Sequence, residues 1–536
     1  MLKALARQQR LVVGAFFVVL LGIGLLIVRD YGVSIDEPQS RNTGMISLKY
    51  IGERYFPGYI ESHEVFKPIG PPLHQFSDRD YGVAFELPLA WLELLLHIKG
   101  ERNIFFFRHL CTFLVCFGGV IAVYQLARRR FADWRIGLLG ALLLVLSPRL
   151  FAESFYNDKD AVFMALFAIA TNTTVAFVQR PSWKRLGWHA LACACTIDVR
   201  IMGVILPLAT LVLTGLEAAR GTYRGQRLQL GLKLPAYLGL LVGLVILQWP
   251  FLWEAPLQNF LLAFHNMSKF RWYSKLLYAG QMMRASEIPW HYAPVWIGIT
   301  TPVLYLVGFL VGAFLTLRQL VLRGWRLYAT AAEWQDLLFL GLTLAPIIAV
   351  IALHSIIYDG WRQLYFVYPS LLLVSLRGLV ALLRWRPAAP NWQRLWQRFS
   401  YATLGITLLV MAGQVVAMHP LQNTYFNILP GRHLEGRFEI DYWVLSYREG
   451  LQWIADHDNR LHIKVGGQMR NELEANRLIL KPYDRDRLEV LEDWGKADYY
   501  VTTYRWHAYD YTEYPFEMTT IRRGGQRIMS IFRVKW

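Results

Sequence analysis

Charge is what this chain has least of: Asp, Glu, Lys and Arg make up 18% of its 536 residues, against ~25% in an ordinary soluble domain. With 55% of the residues hydrophobic, that shortage excludes a purely soluble protein. Cysteine is scarce as well. All four, Cys111, Cys116, Cys193 and Cys195, lie inside apolar runs, which leaves the polar parts none to pair and excludes disulfide scaffolds and Cys-based zinc sites outside a membrane. No Gly-x-x-x-x-Gly-Lys-Ser/Thr loop is present to cradle a nucleotide. The one Gly-x-Gly start, Gly22-Ile-Gly24, falls within the first apolar run, where it reads as small-residue helix packing. There is no internal repeat or low-complexity tract. No small-residue cleavage site follows Val28, so the N-terminal apolar run reads as a retained span rather than a signal peptide.

What is abundant is long apolar sequence. Runs near ~20 residues, each able to cross a hydrocarbon core of ~30 Å, recur from Leu11 to Met418. They predict eleven spans: 11–28, 104–126, 136–152, 161–178, 186–197, 201–216, 234–252, 293–317, 336–353, 364–383 and 401–418. The net charge of +17 is a topology signal. With the N-terminus (Lys3, Arg7, Arg10) in the cytoplasm, it and the connections on that side together carry 21 Lys and Arg against Asp133, Glu217 and Glu333 alone, so the whole excess lies on one face. The basic balance therefore implies no nucleic-acid partner. Residues 186–216 are long for one span and short for two. Parity decides for two, with Asp198 and Arg200 at the outer turn, because one span would turn every later basic connection outward.

Two outer segments are too long to be connectors. In the first, 29–103, Ala84–Ile98 carries Glu86, Glu93 and His97 on one narrow face, the pattern of a helix lying in the membrane interface. The second, 419–536, reads as a small α/β domain: a helix over Ser446–His457, a strand at Leu461–Val465, a helix around Asn471–Leu480, a strand at Asp498–Thr503 and a hairpin across Gly524-Gly525. The predicted fold is thus a mainly α polytopic membrane protein, residues 1–418, followed by an extracytoplasmic α/β domain, residues 419–536.

Ionisable groups at the outer ends of spans are the functional candidates, since charge is expensive there. Asp36 and Glu37, fixed by Pro38, are one set, against the alternative of solvated loop acids. Asp158, Lys159 and Asp160 cap a short hairpin that recesses them, unless they form a solvated Asn/Asp-rich turn. Tyr358-Asp359-Gly360-Trp361-Arg362 leads through Tyr365 and Tyr368-Pro369. Its aromatics also fit an interfacial belt, but Arg362 offers a planar fork suited to phosphate oxygens. The last set is 253–292, with Lys269, Arg271, Lys275, Arg284 and Pro289-Trp290-His291-Tyr292, whose outward positive charge fits either an anionic partner or a solvated amphipathic helix. Carboxylates and cations at headgroup level suit transfer of a group from a phosphate to a hydroxyl. Outside the cytoplasm, a lipid-anchored phosphosugar supplies the donor. Asp36, Glu37 and Asp158 are also hard oxygen ligands open to a divalent metal, though no dense ligand motif accompanies them.

The ordered features resemble the lipid-linked-sugar glycosyltransferases of the GT-C superfamily, in particular the glycosyltransferase family 39 type that includes protein O-mannosyltransferases and lipid A aminoarabinose transferases. The matching elements are Asp36-Glu37, Asp158, Pro289-Trp290-His291-Tyr292 with Thr301-Pro302, the stretch from Asp359 to Pro369, and Asn427 with Asp441-Tyr442-Trp443. Where many relatives carry Lys-Gly, this chain has Asp198-Val199-Arg200. The resemblance implies Asp36 as the base, a polyprenyl-phosphate sugar donor, a hydroxyl-bearing lipid, glycan or protein as acceptor, and a multi-pass bacterial inner membrane protein in contact with membrane lipids. The roles expected on this reading are Glu37 or Asp158 orienting base or acceptor, Arg362 with Lys159 or Arg284 holding the phosphate, and Tyr292, His291, Tyr358 and Asp359 lining the pocket. The competing expectation is a lipid or polysaccharide transporter without chemistry, which inverted repeats and paired broken helices would favour.

Overall fold

The structure, a computed structural model, describes residues 2–268, 272, 274–507 and 509–534. Helix α1 (Leu2–Ile27) leads into a first long loop containing α2 (Glu37–Tyr55), α3 (Pro57–Ser62) and α4 (Glu86–Leu95). The membrane part continues through α5 (Glu101–Phe131), α6 (Trp134–Val145), α7 (Pro148–Tyr156), α8 (Asp160–Gln179), α9 (Trp183–Val199), α10 (Ile205–Ala219) and α11 (Arg227–Gln248). A second insertion holds α12 (Pro256–Ser268) and the hairpin β1 (Lys275–Tyr278) and β2 (Gln281–Arg284). Then come α13 (Tyr292–Thr300), α14 (Val303–Arg323), α15 (Ala331–Ala352), α16 (Tyr368–Arg384) and α17 (Pro390–Ala417).

Among the described residues nine helices are long and apolar enough to cross a membrane. The bent pair α6 and α7, counted as one span, makes ten. Helix α9, at 17 residues, is too short to be counted, so the described residues give nine or ten spans where eleven were expected. Two spans are corrected. The run 136–152 is no straight helix, because α6 and α7 bend by 73° at a break before Pro148, where the Ser147 hydroxyl takes up the Leu143 carbonyl at 2.8 Å. The run 293–317 is broken at Thr301-Pro302. There Asn427 donates to the Gly298 and Thr301 carbonyls, both at 2.6 Å, and so satisfies backbone that the proline leaves without a helical partner.

The interfacial helix is shorter than read from the sequence, Glu86–Leu95, and His97 lies past its end with φ +50°. Glu86 and Glu93 are buried against protein, Glu93 on Arg41 at 2.7 Å, while Trp91 and Leu95 stay exposed. Its apolar Trp91 and Leu95 thus face away from the protein, as an interfacial helix requires.

Packing fixes the segment that will carry the site. Helices α14 and α16 cross with almost no side chain between them: a Cβ on Gly378 would lie 2.0 Å from the Gly308 carbonyl oxygen, and one on Gly312 would lie 2.0 Å from that of Val374. Only glycine permits that approach, the small-residue device of membrane helices. A second lock ties α5, α15 and α16, where Asp336 accepts from Arg130 at 2.5 and 2.6 Å and pairs with Arg377 at 2.8 Å. By contrast α17 is scarcely buried along its length.

After α17 the chain runs back across the bundle end and forms α18 (Ser446–His457), β3 (Ile463–Gly467), α19 (Arg470–Leu478), α20 (Pro482–Arg487), β4 (Leu488–Val490), β5 (Tyr499–Thr502), β6 (Phe516–Arg523) and β7 (Gln526–Arg533). The sheet order is β4-β3-β5-β7-β6. Strand β3 is parallel to β4 and β5, and β7 is antiparallel to β5 and β6. The expected helix at 446–457 and the Gly524-Gly525 hairpin are present. The first strand starts two residues later than expected, at Ile463, because Leu461 is exposed whereas Ile463 and Val465 are buried, and β4 and α20 had no expected counterpart.

Candidate active site

The entry to α2 is built to separate two adjacent acids. Glu37 turns back on its own chain: its carboxylate accepts from the Ser34 amide at 2.7 Å and lies 2.8 Å from Nε2 of His109 on α5. Pro38, in the first turn, fixes the backbone just after it. Asp36, the N-cap residue, meets Arg362 instead, accepting from Nη1 at 2.6 Å. Its side chain is 26% exposed, whereas those of Glu37, Asp158, Asp160 and Asp359 are all at 1–2%. Asp36 is thus the open carboxylate of this group.

The turn between α7 and α8 distributes three charges to three partners. Asn157 shapes it by accepting from the Asp160 amide at 2.7 Å. Asp158 accepts from the Ser40 hydroxyl on α2 at 3.0 Å and stands 3.7 Å from Arg108, which also pairs with Glu86. Lys159 lies 3.9 Å from Asp78 and over the Tyr81 ring. Asp160 pairs with Arg200 and accepts from Arg362 at 3.1 Å. The turn is therefore recessed, as its shortness implied, and not a solvated one.

Arg362 is the hub. Buried to 4% exposure, it bridges Asp36 and Asp160 through Nη1 and approaches Asp359 at 3.5 Å through Nη2, with its guanidinium carbon 4.7 Å from the Trp443 ring centroid and 4.9 Å from that of Tyr358. The aromatics around it are no interfacial belt. Trp361, Tyr365 and Tyr368 are buried, donating or sharing hydrogen bonds with Thr300, Glu153 and Ser147 at 2.8–2.9 Å.

Burial would raise the Asp36 carboxyl, but Arg362, aided by Lys159 and Arg200, overrides it and holds the group down to about 2. Asp158 moves the other way: burial, with Glu86 close by, pushes it well up, and Arg108 only partly opposes this. Glu439, which accepts from the Leu277 amide at 3.3 Å, is pushed up to about 8 by burial, with Arg505 opposing and Asp359 reinforcing. Its folded value thus lies above the ordinary 4.5. The stability it confers is complete below that value and is lost as the pH rises through about 8. Glu439→Gln is accordingly expected to flatten the fall in Tm between pH 4.5 and about 8, the interval between the two values, with the largest gain at its upper end. Parallel melting curves for the two proteins would contradict this.

Asp36, Lys159, Asp160, Arg200 and Arg362 come together, with Asp359 and Tyr358 at the flank. Glu37 and Asp158 lie behind Asp36, committed to protein donors, so these three do not converge on a shared ion. Among the described residues no three His, Cys, Asp or Glu side chains are arranged to hold a metal. Tyr292 supports the Arg362 turn, accepting from the Gly360 amide at 3.2 Å. His291 bonds Tyr278 at 2.7 Å. Arg284 is exposed at the end of β2 and, like Lys275, makes no ion pair among the described residues; both sit on the β1–β2 hairpin and not on the amphipathic helix expected as the alternative. Lys269 and Arg271 lie outside the described residues. Sequence reasoning missed the pairing of Asp160 with Arg362 and Arg200, the Glu86–Arg108 pair and the Arg505–Asp359 pair. Two of the resemblance residues hold backbone: Asn427 at the α13–α14 break, and Asp441, which accepts from the Ser446 amide and hydroxyl at 3.0 and 2.7 Å at the start of α18.

Among solved structures, ArnT from Cupriavidus metallidurans bound to undecaprenyl phosphate is similar at 13% identity, covering 96% of this chain and 97% of that one with a TM-score of 0.45. The apo state of ArnT from the same organism gives 15%, 97%, 99% and 0.44. No curated protein sequence matches the chain. Residues 88–253 match the family model described as dolichyl-phosphate-mannose-protein mannosyltransferase. That stretch, under half of the chain, contains Lys159, Asp160 and Arg200 of the charged cluster, together with Arg108, Asp158 and Asp198.

Proposed function

We propose that the protein moves one sugar from a polyprenyl-phosphate donor to a hydroxyl acceptor on the outer face of the membrane, with inversion at the anomeric carbon. The observation that carries this reading is the open Asp36 carboxylate joined to the buried Arg362 fork. The acceptor oxygen attacks the anomeric carbon and its proton passes to Asp36. The bond from that carbon to the phosphate oxygen breaks, and polyprenyl phosphate leaves with the electron pair. A phosphate dianion needs little protonation to depart, so cations suffice to hold it: Arg362, with Lys159 and Arg200, each 16% exposed, at the rim. Glu37 and Asp158 act as positioning groups behind the base. At about 2, Asp36 paired with Arg362 is a poor base. A donor phosphate that engages the guanidinium takes over part of that neutralisation and so restores the basicity of Asp36 when substrate is bound.

Orientation follows from the charge asymmetry: the N-terminus and Arg394 cytoplasmic, the C-terminal α/β domain periplasmic or extracellular. A membrane-impermeant thiol reagent applied to intact cells is expected to label Asn471→Cys and not Arg394→Cys, two exposed positions. The reverse pattern would place the cluster on the wrong side for this chemistry. The deciding assay incubates the purified protein with a panel of polyprenyl-phosphate sugars and hydroxyl acceptors, lipid, glycan and peptide, and analyses products by mass. A sugar covalently moved to an acceptor supports transfer. Donor relocated across a vesicle unchanged, with no product, supports the transporter reading instead.

A further inference from the structure

One guanidinium of the C-terminal domain reaches the site. Arg505, buried, donates from Nη2 to both oxygens of Asp359 at 3.0 and 3.2 Å, and from Nη1 to the Tyr442 carbonyl. These two anchor points flank Arg362. Asp359 lies three residues before it, with Oδ2 3.5 Å from its Nη2, and Tyr442 precedes Trp443, whose ring covers its guanidinium. Both sides of the contact are conformationally costly. Asp359 has φ +55°, and Arg505 sits between Tyr504 at +60° and Trp506 at +58°. Non-glycine residues persist in that region only where surrounding contacts over-determine them, and such residues gather at functional sites.

We infer that Arg505 is a positioning residue for donor binding: from the C-terminal domain it clamps the Asp359 turn and the Tyr442–Trp443 backbone so that Arg362 faces Asp36. The inference rests on the donor role given to Arg362 above. Arg505 is 143 residues along the chain from Arg362; its hydrogen bonds go to Asp359 and Tyr442, and it feels the Arg362 charge without bonding to it. Lysine in its place keeps the charge but cannot hold two carboxylate oxygens and a carbonyl with one fork.

The test uses the full-length protein in lipid nanodiscs, with Arg505→Ala and Arg505→Lys, and two readouts. Hydrogen exchange over residues 357–363 is expected to rise in both variants while exchange within α14 and α16 stays as in the wild type. The KM for a polyprenyl-phosphate sugar is expected to rise about 10-fold or more in Arg505→Ala and less in Arg505→Lys, with kcat within about 3-fold. If Arg505→Ala does not insert, Arg505→Lys carries both measurements. Unchanged exchange over 357–363 in a folded variant overturns the inference. So does a loss of activity that tracks the amount of folded protein with KM unaltered. If the wild-type protein uses no donor in the panel, the transfer reading falls, whereas raised exchange over 357–363 still upholds the clamp.

Discussion

Asp36→Asn is expected to lower sugar transfer by roughly 10²- to 10⁴-fold, the usual contribution of a positioned general base, while leaving the protein inserted and folded. The amide has the size of the carboxylate but cannot take the hydroxyl proton. Folding is spared because Arg362 keeps Asp160 at 3.1 Å and is not left as an unpaired buried cation, and because Asp36 is the most exposed acid of the cluster. The substitution does remove one contribution to stability. The wild-type carboxylate, held below its ordinary 3.8 at about 2, stabilises the fold above 3.8 and loses that contribution as the pH falls through 2. The acid limb of the rate profile should therefore not be set by Asp36 in the free protein. Turnover of Asp36→Asn within a few-fold of wild type, measured by product mass under donor saturation, would remove the assignment.

Arg362→Lys is expected to weaken donor use by about 10- to 150-fold, the equivalent of losing a charge-assisted bond of roughly 1.5–3 kcal/mol. A lysine ammonium can approach Asp36 or Asp160, but it cannot bridge both while lying flat against Trp443 and Tyr358 as the planar fork does. The effect should fall mainly on affinity, because the phosphate is held in ground state and transition state alike. Titrating polyprenyl phosphate, without its sugar, against both proteins reads it directly. Equal affinities would reduce Arg362 to a structural counter-ion for the surrounding acids.

The order of the membrane helices and the two large insertions were legible because apolar run length and basic loops are strong one-dimensional signals. The breaks at Ser147-Pro148 and Thr301-Pro302 were written in the sequence as prolines, yet composition is blind to the hydroxyl and amide groups, Ser147 and Asn427, that make a break tolerable. Asp36, Lys159 and Arg362 were legible as expensive charges at span ends. Their division of labour was not. Whether Asp36 or Glu37 faces the cluster depends on which one the Ser34 amide and His109 capture, and His109 is remote in sequence on an apolar helix. Arg284 stood beside Lys159 as a helper to Arg362; only the hairpin that carries it shows that it is exposed. Arg505 carried no visible signal at all, a single arginine between aromatics in a mixed segment.

The ion pair between Arg362 and Asp36 joins residues 326 apart in the chain, and Arg505 reaches Asp359 from 146 residues further on. At about 5–20 residues per second during synthesis, the carboxylate near the N-terminus is made some 15–65 s before its cation and longer still before the clamp. The early acids therefore wait in water or against lipid headgroups until residue 362 is made, and the contact with Asp359 waits for residue 505. Synthesis halted before residue 505 leaves the helical bundle with Asp359 paired to Arg362 alone. The pairs around Asp36 and the clamp on Asp359 are thus completed at separate times, the clamp last.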